Sequence, residues 1–260
     1  MPDVVMPVAG RILVAGDWHC NTRWAQYVIR KAGTLLAGEE QRIILHLGDF
    51  GIWPGADGAA YLNCVQGACL ACGVRLLFVD GNHEDFTQIE RLRIRDGQLV
   101  SWLPRGYRWE WHGRTWLALG GGASLDRAIR TEGADWWPEE EITAGQARDV
   151  IEGGRADVMV THECPSGVTH TFPPPPSFWD LRDLARSDAH RELLQRVVDA
   201  VRPAHLMHGH LHAGYQRICD FGYGPVQVTG LDRDGKNWNY AILDTRTMEW
   251  EVQQSAGGRR

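Results

Sequence analysis

The chain has 260 residues, of which 43% are hydrophobic and 23% charged, values that are ordinary for a globular protein. Its net charge of −6, without a block of lysine and arginine, argues against stable binding to duplex nucleic acid, which needs many phosphate contacts from these residues. It contains no run of about 20 apolar residues that could span a bilayer, and Met1–Arg11 lacks the apolar core of a signal peptide, so no membrane association is expected.

Short β-branched and leucine-rich runs alternate with helical patterns in the first third of the chain. The predicted elements are Arg11–Gly16 (strand), Thr22–Ala37 (helix), Arg42–Leu47 (strand), Gly58–Ala71 (helix) and Val74–Val79 (strand). Thr22 is the predicted cap of the first helix. Alternation of this kind indicates a parallel or mixed sheet that is covered by helices.

Later segments combine tryptophan-rich strands with further helix and strand pairs. The predicted elements are strands Tyr107–Trp111 and Thr115–Leu119, helix Ile142–Glu152, strand Asp157–Thr161, helix Arg191–Val201 and strand Ala204–Met207. Tyr215–Val252 is predicted to form antiparallel strands joined by turns such as Asp234-Gly235. With no repeat and no linker, we expect one domain over residues 1–254, followed by a disordered tail at 255–260.

Three minor features have structural interpretations. The six cysteines follow no spaced framework, which favours a reduced, cytoplasmic protein, and a zinc cluster at Cys64, Cys69 and Cys72 is disfavoured because a fourth ligand is missing. Glu139–Glu141 is expected to be the solvated start of a helix. The stiff segment Pro173–Pro176 would form either a wall over a site or a simple connector.

Five predicted strands end in turns that carry polar residues able to bind metals. These turns are Gly16-Asp17-Trp18-His19, Gly48-Asp49-Phe50-Gly51, Gly81-Asn82-His83-Glu84, Thr161-His162-Glu163 and His208-Gly209-His210-Leu211-His212. Taken alone, the D-x-H and Gly-Asp turns are common, GNHE is rarer and GHxH rarer still, so their joint occurrence is what indicates a site. Because ligands bind at the carboxyl ends of strands in such sheets, the five turns together predict one metal-binding crevice.

This series resembles the calcineurin-like metallophosphoesterases, in which D-x-H, GD, GNH[ED], a lone histidine and GHxH follow in this order. The resemblance covers Asp17 to His212 and implies an α/β (α+β) fold, a four-layer αββα sandwich of two mixed β-sheets flanked by helices. It also implies that Asp17, His19 and His212 hold one metal ion and that Asn82, His162 and His210 hold the other. By the same resemblance, Asp49 bridges the two ions and His83 faces the leaving group as a general acid.

The expected donors are oxygen and nitrogen atoms without thiolate, which suits Mn²⁺, Fe or Zn²⁺ better than Ca²⁺ or Mg²⁺ alone. We therefore expect two divalent ions, with Mn²⁺ favoured over Fe and Zn²⁺. Two ions about 3.5–4 Å apart can clamp the attacking and leaving oxygens of a displacement and generate hydroxide at neutral pH. The expected enzyme is a dinuclear metallophosphoesterase that acts through a hydroxide bridging the two ions. Its site would carry a charge of about +1, which attracts phosphate.

One turn departs from the family pattern. Many relatives continue it as GDxxD followed by arginine, whereas this chain has Ile52 and Trp53 at those positions. The resemblance assigns that aspartate to orienting the histidine of GNH and that arginine to contacting phosphate. The departure argues against a protein Ser/Thr phosphatase and leaves the orientation of His83 to another group, with Asp57 and Asp85 as candidates.

Four residues are candidate substrate contacts. Arg127 and Arg130 follow the Gly120-Gly121-Gly122 turn, which could admit a phosphate or be a plain strand-end turn. Trp18 and Trp53 occupy motif positions at the expected rim of the crevice, where they could stack on a base or simply pack.

We therefore predict a metal-dependent phosphoesterase that acts on a small phosphorylated substrate, in particular on phosphodiesters of nucleotide type. The alternatives are a phosphomonoesterase, a nuclease, or a non-catalytic metal-binding scaffold of the same fold. A scaffold is disfavoured because every ligand position and His83 are filled. A DNA-repair nuclease is disfavoured because the chain lacks a capping domain and a basic groove.

Overall fold

Twelve strands and five α-helices form the part of the chain that this computed structural model describes, residues 6–171 and 179–252. The strands are β1 (Arg11–Ala15), β2 (Ile43–His46), β3 (Arg75–Phe78), β4 (Val100–Trp102), β5 (Arg108–Trp111), β6 (Arg114–Leu119), β7 (Val158–Thr161), β8 (His205–His208), β9 (Tyr215–Asp220), β10 (Pro225–Gly230), β11 (Tyr240–Asp244) and β12 (Trp250–Val252). The helices are α1 (Thr22–Leu35), α2 (Gly55–Cys72), α3 (Phe86–Ile89), α4 (Ala144–Glu152) and α5 (Leu181–Val201).

The strands form two mixed six-stranded sheets. The first has the order β12-β11-β1-β2-β3-β4, in which β1 to β4 are parallel and β11 pairs with β1 in the antiparallel sense. The second has the order β5-β6-β7-β8-β10-β9, in which β6, β7, β8 and β10 are parallel and the edge strands β5 and β9 are antiparallel to their neighbours. The expected αββα arrangement is confirmed.

Three apolar clusters define the four layers. One lies between the sheets and includes Leu45 and Val160. The others join the first sheet to α1 and α2, with Ile44 buried there, and the second sheet to α4 and α5, with Met159 buried there. Adjacent residues such as Ile44 and Leu45 therefore face opposite sides of their strand. This explains why the parallel strands are continuously apolar instead of alternating.

The N-terminal caps of two helices correct the prediction. Helix α1 is capped by Asn21, whose side chain accepts the backbone N–H of Trp24, so Thr22 is its first residue and not its cap. Helix α5 begins ten residues earlier than predicted, because Asp180 caps it by accepting the N–H of Arg182. No helix in the described ranges is both long and apolar enough to cross a membrane.

The last strands are divided between the sheets. β9 and β10 form an antiparallel pair in the second sheet, whereas β11 and β12 form one in the first. Asp234-Gly235 therefore lies in a connection that passes from one sheet to the other, and not in a hairpin. The strands are antiparallel within each pair, as predicted, but alternation within a strand does not reveal which sheet receives it, so the division between two sheets was not predicted.

The environment of Glu140 also differs from the prediction. It is buried in a 3₁₀ turn, where it accepts hydrogen bonds from the backbone N–H and the hydroxyl of Ser124, so Glu139–Glu141 is not a solvated helix start. The cysteines are all free, and Cys69 is buried in α2 as part of an apolar cluster. Pro173–Pro176 and the tail at 255–260 lie outside the described residues.

Candidate metal centre

The polar turns lie together at the carboxyl ends of the parallel strands. The first sheet contributes Asp17 and His19 after β1, Asp49 after β2 and Asn82 after β3. The second sheet contributes His162 directly after β7, and His210 and His212 after β8. The two sheets thus meet at one cluster of side chains, as the strand-end argument predicted.

One group consists of Asp17, His19 and His212, whose nearest ligand atoms all lie within 4.8 Å of one another. Nε2 of His212 is 3.1 Å from Oδ2 of Asp17. The carboxylate of Asp17 is fully buried. The backbone N–H of His210 is 3.2 Å from each of its oxygens. This group matches the expected first ligand set.

A second group consists of Asp49, His162 and His210, again with ligand atoms within 4.8 Å. Nε2 of His162 is 3.4 Å from Oδ1 of Asp49 and 3.1 Å from Oδ1 of Asn82. Asp49 also forms a third such group with His19 and His83, and its Oδ2 is 3.3 Å from Nε2 of His19. Asp49 therefore lies between the two expected ligand sets.

Neighbouring groups orient these side chains. Nδ1 of His162 lies 2.7 Å from the carbonyl oxygen of Leu47, so it donates there and Nε2 faces the cluster. The amide nitrogen of Asn82 donates to Oγ of Ser124, which turns its oxygen towards His162. The nearby Gly122 leaves little room for a side chain, since a Cβ there would lie 3.0 Å from the His162 ring.

Four of the cluster residues have a left-handed backbone. The φ angles are 45° at His19, 53° at Asp49, 62° at His210 and 48° at His212. Residues other than glycine adopt this region rarely and at a cost of about 1–3 kcal/mol each, and such strain concentrates at functional sites. The fold therefore holds these side chains in place against their own local preference.

The cluster favours positive charge. Burial lowers the pKa of an imidazole, but a hydrogen bond to Asp49 and the charges of Asp49 and Asp17 outweigh burial and raise the pKa of His19 to about 9. Asp49 similarly raises the pKa of His162 to about 10 against the effect of burial. The pKa of Asp49 lies well below its usual range, because the nearby imidazoles outweigh burial. A field that holds protons here also suits divalent cations, and the oxygen and nitrogen donors fit Mn²⁺, Fe or Zn²⁺.

Glu84 holds two turns of the cluster together. Its Oε1 accepts the backbone N–H groups of Phe50 and Gly51, and its Oε2 accepts that of Gly81. Gly81 packs so closely that a Cβ there would lie 2.2 Å from Oδ1 of Asp49. No function of Glu84 was predicted beyond its place in the GNHE motif, and we call it the brace of the two turns because it accepts N–H groups from both.

His83 lies at the edge of the cluster beside Arg130. Nη2 of Arg130 is 2.9 Å from Nε2 of His83, and Nη1 is 3.2 Å from Nδ1. Burial lowers the pKa of His83 to about 4, and the positive charge of Arg130 acts in the same direction against that of Asp49. Neither Asp57 nor Asp85 has a contact with His83 among those described, and Asp85 instead caps α3 and accepts from Thr87.

A cavity of about 440 Å³ opens beside His83. Its walls are apolar at Trp53, Pro54, Ile129, Ala134 and Trp137, and polar at Asp57, Asp126, Arg130 and Asp135. Trp53 is 40% exposed and Ile129 84% exposed, so both present apolar surface to a ligand at the cavity. The predicted rim position of Trp53 agrees with this geometry.

Two candidate substrate contacts are not at the cavity. Trp18 is fully buried against His46, with ring centroids 4.5 Å apart, and its Nε1 donates to Asn239. Its predicted rim position was wrong because the side chain turns into the cluster between the first sheet and its helices. Arg127 stacks on Trp136, with its guanidinium 3.6 Å from the ring centroid, and does not line the cavity.

Comparison with known proteins identifies a family for this chain. Residues 10–214 match the family model of the calcineurin-like phosphoesterases, whereas no curated protein matches. Among solved structures, TT1561 of Thermus thermophilus has a TM-score of 0.58 at 12% identity, over 95% of this chain and 99% of that one. GAP50, described as the anchor in the inner membrane complex of Plasmodium, has a TM-score of 0.47 at 10% identity, over 97% and 91% of the chains.

A conserved protein from Streptococcus pneumoniae, described as a predicted phosphoesterase, has a TM-score of 0.37 at 11% identity, over 92% of this chain and 84% of that one. At 12% identity, the likeness to the Thermus structure shows the fold alone. It agrees with two facing mixed sheets as the scaffold of the cluster.

Proposed function

The chain belongs to the calcineurin-like phosphoesterase family, and from that premise we propose that it is a dinuclear metal-dependent phosphodiesterase. The observation that carries the proposal is that Asp49 belongs to two groups of neighbouring ligand atoms, one with His19 and His83 and the other with His162 and His210. Asp17, His19 and His212 would hold one ion, Asn82, His162 and His210 the other, and Asp49 both. Two divalent ions bound there, with Mn²⁺ as the favoured metal, would activate water and stabilise charge on the phosphate.

His83 is the proposed general acid of the reaction. Its ring lies beside the cluster, with Nε2 3.9 Å from Oδ2 of Asp49, and it also lines the cavity. A group in that position can donate to the oxygen of an alcohol that leaves from the phosphate and occupies the cavity. The filled ligand positions together with His83 disfavour a non-catalytic scaffold.

The charges around the cavity support a diester over a monoester. A monoester dianion needs extra cationic donors, for which arginine is best suited. Arg130 is the arginine at the cavity, and it is already paired, because its Nε and Nη2 lie 2.7 and 2.9 Å from the two carboxylate oxygens of Asp126. A diester brings one negative charge and a second organic group, which apolar walls such as Trp53 can contact.

The same walls support a substrate of nucleotide type. Trp53, which is exposed, offers a flat apolar surface to a base, while Asp57 and Asp135 can accept hydrogen bonds from its amino groups. We propose that the enzyme acts on small molecules in the cytoplasm, in keeping with its free cysteines. The net charge of −6 does not favour duplex nucleic acid as a substrate.

A comparison of two chromogenic substrates tests the proposal. Manganese-loaded protein should hydrolyse bis-(p-nitrophenyl) phosphate with a higher kcat/KM than p-nitrophenyl phosphate at neutral pH. A panel of cyclic nucleotides, dinucleotides and nucleoside monophosphates then tests the nucleotide class. A clear preference for monoesters would contradict the diester assignment and would indicate that Arg130 leaves Asp126 to contact phosphate. No hydrolysis of any ester with Mn²⁺, Fe²⁺ or Zn²⁺ would contradict the proposed activity itself.

A further inference from the structure

Position 52 cannot orient His83 in this chain. Relatives with GDxxD are expected to use an aspartate there, but Ile52 is buried and packs in the apolar cluster with Phe50 and Tyr61. Asp85, the nearest carboxylate in sequence beyond the brace Glu84, is occupied by Thr87 and Gln88. A general acid whose ring can rotate freely loses rate, so the orientation of His83 requires another partner.

Arg130 makes the close polar contacts to that ring. It reaches both ring nitrogens, at 2.9 and 3.2 Å. A guanidinium only donates, and a neutral imidazole can accept on one nitrogen only, so one contact is a hydrogen bond and the other restrains the ring edge. The remaining nitrogen carries the ring hydrogen.

Arg130 is itself held firmly. Its side chain is 8% exposed, and Asp126 binds it through two oxygens in the bidentate geometry typical of arginine and carboxylate. Nη1 also lies 3.2 Å from the carbonyl oxygen of Asp135. The 3₁₀ turn that precedes Arg130 is tied to helix α5, since the backbone N–H of Ala128 donates to Asp183 at 2.7 Å. The guanidinium therefore has little freedom to follow a moving ring.

We propose that Arg130, fixed by Asp126, is the positioning residue of His83 and takes the place of the missing carboxylate at position 52. This inference rests on the proposed function, because it assigns Arg130 a part in the reaction. It makes Arg130 a support for the general acid and not a phosphate ligand. A positive partner also differs from a carboxylate in that it restrains the ring without stabilising its protonated form.

A double-mutant cycle tests this role. Arg130→Ala should lower kcat by about 10- to 100-fold with little change in KM, the loss expected when a reacting group is misplaced by about 1 Å. Asp126→Asn should show a smaller loss of the same kind. In a His83→Ala background, Arg130→Ala should have almost no further effect, because residues that act as a unit are not additive. Manganese content should stay at the wild-type value in each variant.

Arg127→Ala is the matched control. Arg127 lies in the same 3₁₀ turn but stacks on Trp136, so its loss perturbs the segment without touching His83. It should leave kcat within about twofold, as expected for a site without a part in the reaction. Arg130→Lys should behave like Arg130→Ala, since lysine cannot reproduce the paired contacts of a guanidinium.

A second measurement does not depend on activity. In metal-free protein with ¹⁵N-labelled histidine, the His83 ring resonances, identified by their loss in His83→Ala, should shift in Arg130→Ala and stay in place in Arg127→Ala. Unshifted resonances, or an Arg130→Ala loss that adds fully to that of His83→Ala, would overturn the positioning role. A loss confined to KM would also overturn it and would make Arg130 a phosphate contact. If wild-type protein is inactive on all esters, the proposed function fails, and the resonances alone then decide whether Arg130 positions His83.

Discussion

Oε1 of Glu84 accepts the backbone N–H of Phe50 at 2.7 Å, although the two residues are 34 positions apart in the chain. The same carboxylate accepts N–H groups from Gly51 and Gly81. It thereby fixes the turn that carries Asp49 against the turn that carries Asn82. Two ligands of the candidate centre depend on this one buried carboxylate for their separation.

Glu84→Gln should weaken the centre without removing a ligand. A glutamine offers one oxygen in place of two, so an amide nitrogen would face a backbone N–H and leave it unsatisfied, at a cost of about 1–3 kcal/mol. We expect a lower free energy of unfolding and weaker manganese binding. Urea unfolding and manganese titration measure both. Glu192→Gln, at an exposed position of α5, is the control. Equal behaviour of the two variants would contradict the bracing role.

Asp49→Asn should weaken the binding of both metal ions and strongly lower the rate of hydrolysis. The amide keeps the size of the carboxylate but lacks the charge that both ligand groups share. Elemental analysis after manganese loading should give two ions per chain for wild type and at most one for the variant. Hydrolysis should fall at least about 1,000-fold, because several kcal/mol of charge stabilisation are lost. Asp149→Asn, on the exposed face of α4, should retain both ions and full activity.

The effect of His83→Ala should depend on the leaving group. A general acid contributes about 10²–10⁴-fold for an alkoxide that must be protonated as it leaves. A nitrophenolate leaves without a proton, so its ester should lose much less rate. The measurement compares kcat for alkyl and nitrophenyl diesters in wild type and variant, at unchanged metal content. An equal loss with both esters would show that His83 acts otherwise than as an acid.

His46 should make the fold sensitive to acid. It is fully buried between Trp18 and Phe50, neither ring nitrogen has a polar partner among the described residues, and burial lowers its pKa to about 3. Below pH 6.5 the unfolded chain binds a proton at this residue that the folded chain does not, so the free energy of unfolding falls as pH falls. The loss is about 1.4 kcal/mol per pH unit for one proton.

His46→Leu removes this contribution. In urea unfolding of metal-free protein between about pH 7 and pH 5, the free energy of unfolding of wild type should fall by about 2 kcal/mol more than that of the variant. The difference arises over the roughly 1.5 pH units that separate pH 5 from the ordinary histidine pKa of 6.5. Chelator in both samples separates this effect from the release of metal. Parallel losses in the two proteins would mean that His46 is protonated in the folded state.

The ligand cluster was predictable because each of its residues closely follows a strand. The apolar runs locate β1, β2, β3, β7 and β8, and parallel strands bring their carboxyl ends to one edge. Asp17, Asp49 and Asn82, which follow β1, β2 and β3 of one sheet, could therefore be placed together before their distances were known. His162 follows β7 of the other sheet and was joined to them through the family resemblance. Whether these residues bind metal remains a prediction.

Other features depend on contacts that no local pattern contains. Trp18 has the sequence position of a rim residue, yet its ring turns inward and donates to Asn239, 221 residues away. Arg130 reaches His83 across 47 residues, and nothing in the 3₁₀ turn before it specifies that approach. Likewise, β10 and β11 are consecutive strands, and their pairing with β8 and β1 places them in different sheets.

The pairing of β1 with β11 also sets an order of events in folding. Ala15 and Tyr240 are direct partners although they belong to opposite ends of the chain. During synthesis β1 can pair early with β2, but its other edge stays open until β11 has been made. Pairings of such long range slow folding and leave edges exposed meanwhile. A ribosome-bound chain that ends before Tyr240 should therefore depend on chaperones more than the complete protein does.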